Sequence, residues 1–510
     1  MKKEIAGKRI IDTCLLVGIF VFLGLIFLVN ILHFNYAINA DLASDAVLST
    51  LIWDSKEIVP STWYLASETR IICTPNIGAL FYGLTGNMVL SEGLACCLMT
   101  VLILLSLLYF SHAVEMNPRF CLLFGVTCLI MPNSFAVLEL LYLFASYYAI
   151  HVVVLFLTLG IYIEYIKREK ISGIKYIISI VLALILGLQG TRGILVIYGP
   201  LFGMECIRQI YSLYSGNRKI NLRTAVWTLC LLLVSFAGTC FPISIGQDIS
   251  RNIRNGFPKL LFEVIPDFYS IIGFDKINIV GKICLIIFLL ISAGILIRIL
   301  YCMCYRKSIS LSEWGYLVLC SSPVVSMLAV SYTTVESSER YYFLIFFVMA
   351  YGCVLAFQKM RGSFKGLLGI LVSIYAVVII CNVYMPVIKS DRRPQTEMYD
   401  VIDYLIEHDY KLAYSTFDYA NTMTVMANNE IKVVPVASVE KMNICRWMSS
   451  TDWYVPNIPY EAKTAYIISE PNFESFQAFL KKHEENVLYR EKIGNYYIYT
   501  SDFNFSNLGE

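Results

Sequence analysis

The sequence predicts a membrane all-α polytopic bundle of about eleven transmembrane helices, followed by a small C-terminal α/β domain. Three features point there: composition, the recurrence of long apolar runs, and a change of texture near residue 390. Of 510 residues, 57% are hydrophobic and 15% charged, against roughly 25% charged in ordinary soluble domains. Mean hydropathy is +0.65. A hydrocarbon core about 30 Å thick requires about 20 apolar residues in helix, because lipid offers no partner to backbone polar groups. Such runs recur near 11–32, 88–110, 120–139, 142–163, 176–189, 193–212, 224–242, 280–301, 313–331, 341–357 and 366–387. This composition excludes a single soluble globule. With 40 Lys+Arg against 38 Asp+Glu and a net charge of +2, the chain also lacks the basic field that nucleic-acid binders use.

The first run follows Lys2, Lys3, Lys8 and Arg9. It is long and has no small-residue cleavage site behind it, which marks a retained helix. Basic residues gather in alternate connections: Lys167, Arg168, Lys170 and Lys175; Arg208, Arg218, Lys219 and Arg223; Arg306 and Lys307; Lys359, Arg361 and Lys365. By the positive-inside rule these and the N-terminus are cytoplasmic. The opposite, extracytoplasmic face then carries 33–87, 243–279, the loop around 332–340, and everything after 388. The weakest span boundaries are at Pro132-Asn133 and Gly187–Gly193.

The domain division expected is 1–390, a transmembrane part with exported loop 33–87, and 391–510. In the tail, Met398, Val401, Ile402, Leu405 and Ile406 mark an amphipathic helix. Lys411–Thr416, Ile431–Val436 and Thr464–Ile468 read as strands. A helix with Phe473, Phe476, Phe479 and Leu480 on one stripe precedes a hairpin, Val487–Ile493 and Tyr496–Thr500, around Gly494-Asn495. Such a domain can bury its own core. The 16 Cys lie mostly inside apolar runs and the tail has only Cys445, while the five His are scattered. Neither a disulfide framework nor zinc-ligand spacing is present.

Polar residues cluster at the expected outer face: Asn39, Asp41 and Asp45 after the first span, Glu68 and Arg70 in the same loop, Arg192 at the end of the fifth, and Glu336, Glu339 and Arg340 before the tenth. That pattern describes an outward cleft at the lipid headgroup level. A transporter would instead place its charges near the midplane. Asp41 and Asp45 are four apart, on one face of any helix that begins there. A carboxylate at the mouth of an apolar bundle is desolvated and becomes a better proton acceptor; an N-cap role is the competing account. For Glu68 and Arg70 the competing account is an internal ion pair, and for Arg192 and Arg340 it is anchoring at helix ends. Trp63 and Tyr64 are candidates for stacking on a sugar, or members of an interfacial belt. In the tail, Arg446, Trp447, Trp453 and Tyr454 are candidates to line a carbohydrate surface. Gly187, Gly190 and Gly193 lack the Gly-Lys-Ser/Thr ending of a phosphate loop and read as helix breaking. Asn504-Phe505-Ser506 is a glycosylation sequon.

Asn-Ala-Asp-Leu-Ala-Ser-Asp at 39–45 and Trp-Tyr-Leu-Ala-Ser-Glu-Thr-Arg at 63–70 resemble the first exported loop of bacterial multi-spanning proteins related to the GT-C glycosyltransferases. In those relatives the stretches read approximately Asp-x-Asp-x-x-Ser-Glu and Trp-Tyr-Tyr-Ser-Thr-Glu-x-Arg. Gly187-Leu-Gln-Gly-Thr-Arg192 and Glu339-Arg340-Tyr341 are weaker matches. The resemblance implies transfer of a sugar from a polyprenyl-phosphate donor to a glycan or lipid-linked acceptor at the outer face of the bacterial plasma membrane. It makes Asp41 the general base with Asp45 beside it, and Arg192 and Arg340 the candidates for the donor phosphate. Asn39 stands where an Asp is expected, which puts a metal site shared with Asp41 in doubt; a divalent metal is a feature of some members only. The rival readings are a polysaccharide polymerase or ligase acting on the same lipids, a lipid-linked sugar transporter, and a structural or sensory protein whose working part is the tail.

Overall fold

The computed structural model describes residues 2–66, 68–216, 221–241, 251–360, 363–393, 395–454, 459–483 and 487–504. Ser67 of the 33–87 segment, Arg218, Lys219 and Arg361 of the charged connections, and Phe505-Ser506 of the sequon lie outside the described residues, as do the side chains of Lys2, Lys3, Lys8 and Arg9. The N-terminal part folds as α1 (Lys2–Leu32), α2 (Ala40–Ser55), α3 (Thr74–Thr85) and α4 (Met88–Ala113). The chain is a multi-pass membrane protein. Among the described residues, eight helices are long and apolar enough to cross a bilayer. The other three predicted spans are shorter or broken. The run at 120–139 is Pro118–Ile130 followed by Phe135–Leu141; the run at 176–189 is Gly173–Gln189; and 193–212 is a π turn, Ile194–Tyr198, leading into Gly199–Tyr214.

Packing divides the chain into two compact units, Met1–Ile26 with Leu98–Pro386, and Phe27–Cys97 with Val387–Glu510. The loop expected to belong with the bundle is therefore grouped with the tail. Helices α1 and α4 each run through both units.

In the first unit, Gly173–Gln189 and Leu222–Thr239 cross at glycine. A Cβ on Gly187 would overlap the Ser235 carbonyl, and one on Gly238 would lie 2.8 Å from both the Leu184 oxygen and the Leu188 nitrogen. Membrane helices approach closely where side chains are this small, which accounts for Gly187 without any phosphate loop. A buried carboxylate, Glu205, accepts from the Tyr162 hydroxyl at 2.6 Å, Arg208 Nε at 2.7 Å and the Thr224 hydroxyl at 2.6 Å. Glu313 is paired with both Arg298 and Lys359 and caps its own helix through Ser310. Each of these acids has its charge matched by hydrogen-bonded cations, the condition under which burial is tolerated.

In the second unit the tail forms a five-stranded sheet in the order β2-β1-β3-β5-β4. The strands are β1 (Leu412–Thr416), β2 (Lys432–Val436), β3 (Pro459–Ser469), β4 (Leu488–Ile493) and β5 (Tyr496–Phe503). Strands β2, β1 and β3 are parallel, while β5 and β4 close the sheet as an antiparallel hairpin. The helices are α5 (Thr396–Glu407), α6 (Phe417–Met426) and α7 (Phe473–His483); α6, the crossover that parallel pairing of β1 and β2 demands, was not anticipated. Side chains alternate across the sheet. Ala413, Val433, Ala465, Ile467 and Ile498 face a core with Val401, Ile402 and Leu405 of α5. Leu412, Tyr414, Val434, Tyr466 and Ile468 face a second core, which contains Phe476 and Phe479 of α7 together with Ala43, Ala46, Val47 and Leu48 of α2. The 33–87 segment thus supplies a layer of the tail's own core. Asn504 of the sequon is buried and donates to the Tyr414 hydroxyl at 2.9 Å, a position closed to a glycan.

Gly238→Val should force the two glycine-packed helices apart. The expected loss is about 1–3 kcal/mol, the usual range for overpacking, read as a lower melting temperature of the detergent-solubilised protein. An unchanged melt would refute the close crossing.

Candidate active site

Helix α2 begins at Asn39, whose side-chain oxygen accepts from the Leu42 amide at 3.0 Å. This is an ordinary N-cap, so the residue that departs from the expected acidic pair has a structural use. Asp41 sits in the first turn, where a negative charge complements the helix dipole, and it is exposed. Asp45, one turn on, is 2% exposed. The two acids share a face as the spacing predicted, but only Asp45 is desolvated.

Neither oxygen of Asp45 has a hydrogen-bond donor among the described residues. Its charge partner is Arg70, with Nη2 at 3.6 Å from Oδ2. Burial lifts the Asp45 carboxyl above the ordinary range; Arg70 opposes that rise and Asp41 adds to it. Cys73, at the start of α3, is buried in the same region. Its thiol is pushed up to about 11 by burial, with Arg70 opposing and Asp45 and Glu68 reinforcing, which favours the neutral thiol form.

One turn further along α2, the Ser49 hydroxyl lies 2.9 Å from the Pro75 carbonyl of α3 and bonds Glu92 of α4. Glu92 is 1% exposed. The three helices meet at Gly78, where a Cβ would overlap the Glu92 carboxyl and come within 2.7 Å of the Ser49 hydroxyl. Sequence reasoning missed both Ser49 and Glu92. The signal was present, because Glu92 is the one charged residue in the run 88–110, and an ionisable group in such a run has a functional or pairing reason.

The aromatic candidates separate by burial. Trp63 is 6% exposed, packs edge-on to Trp453 at 5.8 Å, and belongs to the tail-side core along with Tyr454. These three are interior residues, unlike the sugar-stacking surface expected of them. Tyr64 is half-buried; its amide donates to the Ser449 carbonyl at 2.7 Å and its carbonyl accepts from Met448 at 2.9 Å. Arg446 and Trp447, by contrast, are exposed. Asn421 of α6 ties this segment to α2, donating to the Ser44 hydroxyl at 2.7 Å and to the Met448 carbonyl at 3.0 Å.

In the other unit, Arg192 follows the end of helix Gly173–Gln189. Its guanidinium lies 3.8 Å from the centre of the buried Tyr148 ring and 5.6 Å from that of Tyr341. Arg340 is 5.9 Å from Tyr341. Two candidate phosphate ligands, 148 residues apart in sequence, are thus brought to one aromatic ring, and Tyr148 is fixed in turn on Phe343 at 5.0 Å. Glu339 faces Lys276 at 3.6 Å and bonds Ser270, while Glu336 is exposed. For a metal, the described residues bring together no three His, Cys, Asp or Glu side chains, and the oxygen of Asn39 is engaged by Leu42.

Comparison with protein-family models and with curated protein sequences yields no match. Solved structures do share the fold. The crystal structure of ArnT from Cupriavidus metallidurans in the apo state matches with a TM-score of 0.58 and 12% identity, over 98% of this chain and 98% of that one. The same protein bound to undecaprenyl phosphate matches with a TM-score of 0.52 and 11% identity, over 97% and 98%. The likeness is one of fold: the chain shares the architecture of these structures along nearly its whole length.

The raised titration of Asp45 has a defined sign. Its unfolded counterpart titrates near 3.8, so between that value and its higher folded one the native state holds a proton that the unfolded chain lacks. Stability from Asp45 is complete below about pH 3.8 and is lost as pH rises through the folded value. Asp45→Asn, uncharged throughout, should flatten the fall in melting temperature on going from acid to neutral pH. Equal slopes for variant and wild type would contradict the burial of a titrating group here.

Proposed function

We propose that this protein is a membrane glycosyltransferase that moves a sugar from a polyprenyl-phosphate donor to a cell-surface glycan or lipid-linked acceptor at the outer face of the plasma membrane. The observation that carries the reading is Asp41: a solvent-open carboxylate on the first turn of a helix whose next turn is anchored by burial, in a chain with the fold of a protein crystallised with undecaprenyl phosphate.

In the proposed reaction Asp41 takes the proton of an acceptor hydroxyl as that oxygen bonds to the anomeric carbon. The bond from that carbon to the phosphate oxygen breaks, and its electron pair leaves with the polyprenyl phosphate. A single displacement of this kind inverts the anomeric centre. Asp45 and Arg70 hold the α2 turn beneath Asp41. Arg192 and Arg340 are proposed to receive the phosphate, since a guanidinium keeps its charge at an interface and meets phosphate oxygens bidentately. Tyr64 and Trp447 are the accessible aromatics to which the acceptor's sugar faces are assigned.

In cells lacking the protein, complementation with wild type should restore one sugar to the surface glycan, and Asp41→Asn should leave that sugar absent with its lipid-linked donor accumulating, both by mass spectrometry. Full rescue by Asp41→Asn would remove it as base and favour a polymerase or transporter. In a purified assay, Trp447→Ala should raise KM for the acceptor about tenfold, the scale of one stacking contact, with kcat little changed; an unchanged KM would remove Trp447 from the acceptor surface.

A further inference from the structure

The Ser49 hydroxyl has three oxygens around it and one hydrogen to give. It has a single hydrogen to donate, yet it lies 3.1 Å from the Asp45 carbonyl, 2.9 Å from the Pro75 carbonyl and against a carboxyl oxygen of Glu92. The two carbonyls only accept. Each carbonyl is already bonded by an amide of its own helix, so if Glu92 also only accepts, the hydroxyl donates to one of the three oxygens and is held against the other two as bare oxygen contacts in a buried site. A proton on Glu92 resolves the conflict, since the carboxyl then donates to Ser49 and Ser49 donates to a carbonyl. The charges agree with this. The groups acting on Glu92 are Asp45 and Arg70, with Asp41, Glu68 and Cys73 around that pair. A second buried carboxylate beside Asp45 would leave the pocket with excess negative charge, which burial penalises heavily.

We infer that Glu92 is a neutral carboxylic acid that donates to Ser49, and that this bond is the latch by which α4 positions α2, and with it Asp41, for sugar transfer. Glu92 touches no substrate in this account; it is a positioning residue, and its catalytic consequence rests on the function proposed above. The latch ties the third turn of α2 to a long apolar helix, at a point where Gly78 lets α3 in from the side. Loss of the proton would set carboxylate against two carbonyls in competition for one hydroxyl and release the turn.

The test uses the full-length protein in detergent or nanodiscs. The infrared difference between wild type and Glu92→Gln at neutral pH should contain the carbonyl band of a protonated carboxylic acid, sensitive to deuterium exchange, and Ser49→Ala should shift that band. Absence of the band, or its indifference to Ser49→Ala, overturns the protonated latch whether or not any sugar is transferred. With a transfer assay, Glu92→Gln, whose amide donates the same bond, should keep kcat within about threefold and abolish the loss of rate on the alkaline side of the wild-type profile. Glu92→Leu should lower kcat about tenfold, the scale of one buried hydrogen bond, with KM unchanged. Equal losses in both variants, or an alkaline limb that survives in Glu92→Gln, would reduce Glu92 to packing. A confirmed infrared band with no detectable transfer would instead refute the function and leave the latch standing.

Discussion

Burying the acidic face of α2 is the constraint on which its unit depends. A helix that carries Asp41, Asp45 and Ser49 one turn apart cannot enter an apolar interior unless other elements bring a charge partner and hydrogen-bonding groups to meet it. Arg70 arrives on the loop, Pro75 and Gly78 on α3, and Glu92 on α4. Each lies within the first hundred residues, so the polar seam is local in sequence. The result is graded, with Asp41 in solvent and Asp45 and Glu92 out of it.

The opposite side of α2 is apolar, and here the tail contributes. Ala43, Ala46, Val47 and Leu48 share a core with Tyr414, Val434 and Tyr466, while residues 62–64 bond the backbone of 448–451. A loop this long would otherwise bear a large entropic cost of ordering; built into a sheet domain's core, it becomes a rigid layer. The tail therefore has a structural purpose whether or not it contacts substrate. It is the support for the helix that carries Asp41.

The extent to which the sequence was legible follows the range of the interactions involved. Strands β1 to β5 and helices α5 and α7 were read from periodicity, which burial on one face imposes on neighbouring residues. Helix α6 escaped because Asn421, Thr422 and Thr424 sit among its buried positions, so polar residues that hydrogen-bond in the interior blur the stripe. Trp63, Trp453 and Tyr454 look like surface aromatics in isolation, since nothing near them in sequence shows that they enter one buried core. Glu92 was overlooked for the opposite reason, as a single acid within a run whose apolar character dominated the reading.

By itself the sequence determined that this is a multi-pass membrane protein with an α/β tail, because the requirement to satisfy every backbone group in lipid leaves an unmistakable length and hydropathy signature. It also determined which charges cluster after the first span. Only the tertiary structure decided which acid is buried and which is open, that Arg192 and Arg340 come to one tyrosine ring, and that loop and tail share a core. Those outcomes depend on helices and strands far apart in the chain removing water from particular side chains, and desolvation is a property of the packed neighbourhood that no local pattern of residues encodes.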